Sequence, residues 1–244
     1  IVSRLHRLID LTQRLFDAHN YGEAGRQIRS FLWDEFADWY IEASKAQLYG
    51  DDSHARQNVL RVLVYVLDTG LRLLHPFMPF MTESAWHYLP NTGETISLAR
   101  WPQSDANLID AQAEDAMNVL IELVRGVRNI RTEYNVAPSK KIQAVAAPGS
   151  HESTLMAHTY LFARLCNVDE VRMLANNQAP DEAASIVYSD AVMYLPLAGL
   201  IDYSAEIERL EKEQEKLTAM IAKSEGMLGN ENFTSRARPD VVQR

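Results

Sequence analysis

Arg128-Asn129-Ile130-Arg131-Thr132-Glu133-Tyr134-Asn135-Val136-Ala137-Pro138-Ser139-Lys140-Lys141 is the stretch at which this chain changes its period. Ahead of it, from about residue 111 to 135, Ala116, Leu120, Leu123, Val127, Ile130 and Tyr134 step by four and three, as one face of a helix does. Pro138 stops that helix, because the residue before a proline is pushed out of the α region. Behind it, residues 141–147 read as a strand. The break therefore separates a helical region from a small α+β unit. The same stretch concentrates positive charge in a chain of formal net charge −9. With Arg125 it holds five cations against one carboxylate, Glu133. Arg125, Arg128 and Arg131, spaced by three, fall within about a third of a helix circumference, and Lys140 and Lys141 follow in an extended segment. Such a concentration in an acidic protein points to a polyanion; a solvated helix face is the competing account.

Working back towards the N-terminus, Leu5, Leu8, Leu15 and Phe16 share one face of a first helix. A second runs from about 23 to 48, with Ile28, Phe31, Leu32, Trp39 and Ala43 as its inward stripe. Gly50-Asp51-Asp52-Ser53 is a break carrying N-cap residues for a third helix over about 54–74, whose stripe is Val59, Leu63, Val66, Leu67, Gly70, Leu71 and Leu74. His75-Pro76-Phe77-Met78-Pro79 redirects the chain into a fourth helix over about 79–88, with proline at a favoured first position. Four amphipathic helices on short connections predict an antiparallel bundle. Residues 103–118 form an acidic, alanine-rich connector that leads into the basic helix.

Forward of Pro138, residues 151–166 read as a helix and 168–174, 185–188 and 192–197 as strands, with Ser189-Asp190 a short hairpin turn. From Ser204 the composition shifts to Glu, Lys and Gln. Ile207, Leu210, Gln214, Leu217, Ile221, Ser224 and Leu228 alternate steps of three and four, a coiled-coil seam with two polar lapses. Gly229-Asn230 ends it, and Pro239-Asp240 looks like the start of a second arm. The fold class expected is mainly α: a helix bundle over 1–102, a small α+β stem with the basic helix over 103–202, and one coiled-coil arm over 203–244. The absence of an initiator methionine and the helix start so close to Arg244 suggest a piece of a longer polypeptide.

Composition excludes several classes. One cysteine, Cys166, permits neither a disulfide framework nor a cysteine-based metal site, and its apolar setting reads as a buried structural thiol in a reducing, cytosolic compartment. No run approaches the roughly 20 apolar residues of a membrane span. There is no phosphate-cradling glycine loop and no helical histidine pair, so no catalytic residue and no metal ligand is assigned.

Several motifs carry a resemblance. Ile1-Val2-Ser3-Arg4-Leu5, Phe31-Leu32-Trp33-Asp34-Glu35-Phe36-Ala37-Asp38-Trp39-Tyr40 and His75-Pro76-Phe77-Met78-Pro79-Phe80-Met81-Thr82-Glu83-Ser84-Ala85-Trp86 resemble the anticodon-binding bundle of class I aminoacyl-tRNA synthetases. The basic run over 128–142, Leu195-Pro196-Leu197-Ala198-Gly199-Leu200-Ile201-Asp202 and Leu228-Gly229-Asn230-Glu231-Asn232-Phe233 resemble the bacterial-type valyl branch more particularly. The resemblance implies the C-terminal part of a valine–tRNA ligase, a cytoplasmic translation enzyme that is monomeric at full length. Its catalytic domain, with ATP and Mg, and its editing domain would lie outside this chain, leaving the piece itself inactive and without a cofactor. The implied partner is valine tRNA, with neither DNA nor membrane.

Anticodon bases are splayed and single-stranded, and are read by stacking and edge hydrogen bonds. Arg26, Arg29 and Trp33, with Lys45, Arg72 and His75, are the candidates for that contact. Arg125, Arg128, Arg131, Lys140 and Lys141 are candidates for phosphates. Lys212, Lys216 and Lys223 are candidates on the arm, although residues 203–244 carry seven cations against eight carboxylates and attract RNA only weakly. From another class, a protein-interaction scaffold associating through the coiled-coil seam is the alternative, and the same seam would allow the piece to self-associate.

Overall fold

The computed structural model describes residues 1–90, 93–174, 179–197 and 203–228. The chain opens with α1 (Val2–Asp17). α2 (Tyr21–Ser30), a segment of wider, π-type turns (Phe31–Ile41) and α3 (Glu42–Leu48) follow one another without a break. α4 (Ser53–Leu74) and α5 (Pro79–Trp86) complete the bundle. The helix starts are set locally. Asn20 Oδ1 accepts from the Glu23 N–H, and Asp52 Oδ1 accepts from the N–H groups of His54 and Ala55 at 2.9 and 3.1 Å.

The wide segment changes which residues face inward. Phe31 and Phe36 are both buried with Leu5, Leu8, Ile9, Ile28, Val66 and Leu73 in the bundle core, and Ile41 packs against them. Their spacing of five suits the wider turn, whereas a 3.6-residue period leaves Phe36 out of the expected stripe. Leu32 is only half-buried, and it lies over Gly70, where an added Cβ would come within 2.5 Å of its Cδ2.

At the α4–α5 corner His75 Nδ1 lies 2.7 Å from Thr82 Oγ1 and Nε2 lies 3.0 Å from Ser97 Oγ. Trp86 packs under Leu71 and Ile96 and donates from its indole N–H to Asp68 Oδ1 at 2.6 Å. The connector after Trp101 is pinned to α1 rather than loose. Ser104 Oγ donates to the His6 carbonyl, the Asp105 N–H to His6 Nδ1, and the Asp110 N–H to Ser3 Oγ.

α6 (Ala111–Glu133) is the basic helix, started by Asp110, whose carboxylate accepts from the Ala113 N–H at 2.9 Å. Beyond it come β1 (Ile142–Ala147), α7 (Glu152–Ala157), α8 (Thr159–Cys166), β2 (Val168–Met173), β3 (Ala183–Tyr188) and β4 (Ala191–Pro196). The strand order is β2-β1-β4-β3. β1 runs parallel to β2 across the α7–α8 crossover, and β4 is antiparallel to both of its neighbours. The expected hairpin turn is present: Tyr188 pairs with Ala191 around Ser189, whose φ is +54°. The expected single helix over 151–166 is broken at His158. Its ring Nδ1 takes the Thr154 carbonyl, which the His158 N–H would bind in an unbroken helix, and that N–H bonds Leu155 instead.

α6 lies on the sheet so closely that a Cβ at Gly126 would meet Ile186 Cγ2 at 2.4 Å. Leu120, Leu123, Val127 and Ile130 pack there with Phe162, Met193 and Leu195, forming a second core. α6 and the sheet with its two crossover helices are called the stem below. Cys166 is buried in it with its Sγ 3.2 Å from the Phe162 carbonyl, and burial pushes the thiol pKa up to about 12.

α9 (Tyr203–Leu228) carries the coiled-coil pattern. Ile207, Leu210, Leu217, Ile221 and Leu228 of its seam are all about half exposed. The expected Gly229-Asn230 end and the second arm near Pro239-Asp240 lie outside the described residues.

Candidate nucleic-acid interface

Two exposed regions gather the residues singled out in the sequence. The first is the outer face of α2, continued into the wide-turn segment that follows it and called the α2 face here. Arg26, Arg29 and Trp33 follow at intervals of three and four, so they line one face. Trp33 is 64% exposed, an unusual place for a tryptophan on a bundle helix. Arg26 leans on Glu23 at 2.6 Å, and its side chain keeps most of its surface in solvent. Hydrogen bonds from the Gln27 side chain first, and then from Arg26, hold the Glu23 carboxyl below the ordinary glutamate range. Exposed pairs of this kind contribute about 0–1 kcal/mol, so an RNA group can displace them at little cost.

The other candidates on the bundle are not brought to that face as free groups. Lys45 is half-buried against Glu42. Arg72 bonds Asp68 and donates to the Arg100 carbonyl at 3.1 Å, tying α4 to the chain beyond α5. Both ring nitrogens of His75 are engaged at the corner.

Residues that the sequence reading passed over stand out around α5: Phe80 is 91% exposed, Met81 61% and Tyr88 88%. α5 is only two turns long and buries only Thr82 and Trp86, so Phe80 and Met81 face outward.

The second region is the ridge on α6. Arg125 and Arg128 are exposed, and the guanidinium carbon of each lies 5.4 Å from the centroid of the Trp39 ring. Arg125 also meets Glu122 at 2.6 Å, and Arg128 Nε donates to the Leu165 carbonyl at 3.0 Å. Beside them opens a cleft of about 670 Å³ between bundle and stem, lined in part by Arg4, Glu35, Trp39, Tyr40, Glu122 and Arg125.

Arg131 departs from the expected stripe. It is 8% exposed, and one guanidinium nitrogen donates to the carbonyls of Ala137, Pro138 and Lys140 at 2.6–3.1 Å. Its charge closes the turn between α6 and β1 and is turned away from solvent. The reason is geometric. Each step of three residues rotates a side chain by about 60° around a helix, so two steps carry position 131 onto the Val124–Val127 face. Lys140 is exposed near that turn, and Lys141 is exposed and paired with Asp169 at 2.7 Å. On α9 Lys212, Lys216 and Lys223 are exposed, Lys212 against Glu208 at 2.6 Å.

Among the described residues no three His, Cys, Asp or Glu side chains converge as metal donors, and no helix is long and apolar enough to cross a membrane.

Comparison with known proteins places the sequence among tRNA ligases. Residues 1–146 match the model of the anticodon-binding domain of tRNA ligases, and residues 202–244 match the valyl tRNA synthetase tRNA-binding arm, whose part beyond Leu228 is outside the described residues. The chain is 44% identical over 245 residues to a valine–tRNA ligase of Enterococcus faecalis, and 41% identical over 245 and 244 residues to those of Geobacillus stearothermophilus and Bacillus subtilis. These alignments cover 99–100% of this chain and 28% of each relative. The family model accounts for more than half of the sequence and includes both the aromatic face of α2 and the ridge of α6, and on that ground the chain belongs to the family of anticodon-binding domains of tRNA ligases.

Proposed function

We propose that this chain is the tRNA-recognition portion of a cytoplasmic valine–tRNA ligase. Residues 1–102 would read the anticodon of valine tRNA, residues 103–202 would grip its phosphate backbone, and residues 203–244 would brace the folded RNA as an arm. The ATP- and Mg-dependent aminoacylation, and any editing, would belong to the remaining length of the full protein, of which the chain spans 28% in its relatives.

The observation that carries the reading is Trp33, with 64% of its surface open on the same face as Arg26 and Arg29. A flat apolar ring beside planar cations suits an unstacked base, and base–aromatic stacking contributes roughly 1–3 kcal/mol per base. The ridge adds further charge for the backbone.

The test is binding of valine tRNA transcripts with native and altered anticodons to the chain and to Trp33→Ala. The variant should lose about 5- to 150-fold on the native anticodon, the equivalent of that stacking range, and little on the altered ones. Equal losses on both would reject the α2 face as the anticodon site.

The half-exposed seam of α9 favours a second reading, association with another helix through Ile207, Leu210 and Leu217. Sedimentation of the chain across a hundredfold concentration range tests it: a constant monomer mass would exclude self-association.

A further inference from the structure

Trp39 belongs to the bundle helix by sequence, yet its ring is 7% exposed and packs in the second core, that of the stem. It is covered there by two arginine side chains three residues apart on α6, each with its guanidinium carbon 5.4 Å from the ring centroid. An exposed arginine ordinarily samples many rotamers, and fixing it costs up to about 2 kcal/mol of side-chain entropy. Here the negative face of the indole attracts both cations, and the Leu165 carbonyl holds Arg128 by its Nε at 3.0 Å. Two like charges are thus kept beside one ring. Glu122 answers Arg125 at 2.6 Å. Among the described residues no carboxylate pairs with Arg128.

We infer that Trp39 is a positioning residue for RNA binding: the ring from the bundle sets Arg125 and Arg128 of the stem in place for consecutive phosphates of the tRNA backbone. The inference rests on the function proposed above and adds the residue through which the anticodon-reading part controls how the other part grips. Prepaid ordering of the two side chains raises affinity without any new contact to the ligand.

The experiment titrates a valine tRNA transcript with the 244-residue chain at several salt concentrations, for the unaltered protein, Trp39→Leu, Trp39→Phe and the double variant Arg125→Gln/Arg128→Gln. Each phosphate contact contributes roughly 0.7–0.9 to the slope of log affinity against log salt. Trp39→Leu keeps an apolar side chain and loses the π face. It should lower the slope by about 1–2 and the low-salt affinity by about tenfold, with Trp39→Phe recovering most of both. A residue that only packs would leave the slope unchanged, and an unchanged slope in Trp39→Leu overturns the inference.

If Trp39→Leu does not fold, the milder variant decides. Trp39→Phe should cost about two- to threefold in affinity in the unaltered background and nothing in the double-glutamine background. Equal costs in both overturn the inference. Absence of any salt-dependent binding by the unaltered chain would instead reject the proposed function itself, a failure recognisable before any variant is made.

Discussion

Trp33 and Trp39 lie six residues apart on one continuous helix and meet opposite surroundings. Trp33 is 64% exposed on the outer face, and Trp39 is 7% exposed in the core of the stem. Nothing in the residue type distinguishes them. The difference comes from what the fold places opposite each: solvent for one, α6 with its two arginines for the other. The same contrast recurs along α6, where Arg128 stays at the surface and Arg131 turns under it. Residue chemistry thus proposes a role, and the neighbour across the packing interface assigns it.

The largest expected effect separates the tryptophans by stability. Trp39→Ala should cost about 3–5 kcal/mol, while Trp33→Ala should stay within about 0.5 kcal/mol. Urea unfolding of the two variants checks this, and similar midpoints would erase the distinction. Next, Arg131→Gln should destabilise by about 1.5–3 kcal/mol, because three carbonyls lose a charged donor. Arg128→Gln should cost under about 1 kcal/mol and be felt mainly in RNA binding.

The smallest effect concerns His6, which is 2% exposed, with Nδ1 accepting from the Asp105 N–H and Nε2 2.8 Å from the Tyr65 hydroxyl. Burial holds its pKa below the ordinary value, outweighing the opposing pull of Asp105. The unfolded chain therefore binds the proton first. The stabilisation is complete above about pH 6.5, the ordinary value, and is lost as the pH falls from there through the folded value. The denaturation midpoint should be lower at pH 5 than at pH 7.5, and His6→Gln should narrow the gap. An unchanged gap would mean that other groups dominate the acid limb.

Much of the architecture was legible. The alternating fours and threes of α6, the acidic cap at Asp52, the switch to strands after Pro138 and the two-residue turn at Ser189-Asp190 are local signals, and local hydrogen bonding realises them. What escaped depends on partners distant in sequence or on a departure from the standard period. Phe36 turned inward because the helix widens over Phe31–Ile41, and a stripe counted at 3.6 residues passes it by. The break at His158 needed knowledge of one ring hydrogen bond. Of the candidate-site residues on α6, Arg125 and Arg128 lie at the surface, whereas Arg131, of the same charge, does not. Arg131 sat in plain view on the series Leu120, Val124, Val127, Arg131, spaced four, three and four, and its fate could have been read from that spacing. Phe80 and Tyr88 are exposed because α5 and its end have no packing partner on that side among the described residues, which no local pattern announces.

The bonds from α1 to the head of α6 have a mechanical consequence. Ser3 and Arg7 both reach Glu114, Trp39 seats beside the middle of the same helix, and α3 rests on α8. Three separate supports join the two blocks, so rocking one upon the other has to break contacts at each of them. The Trp33 face and the Arg128 ridge thus share one frame, and a ligand that touches both has to reach from one to the other like a strut.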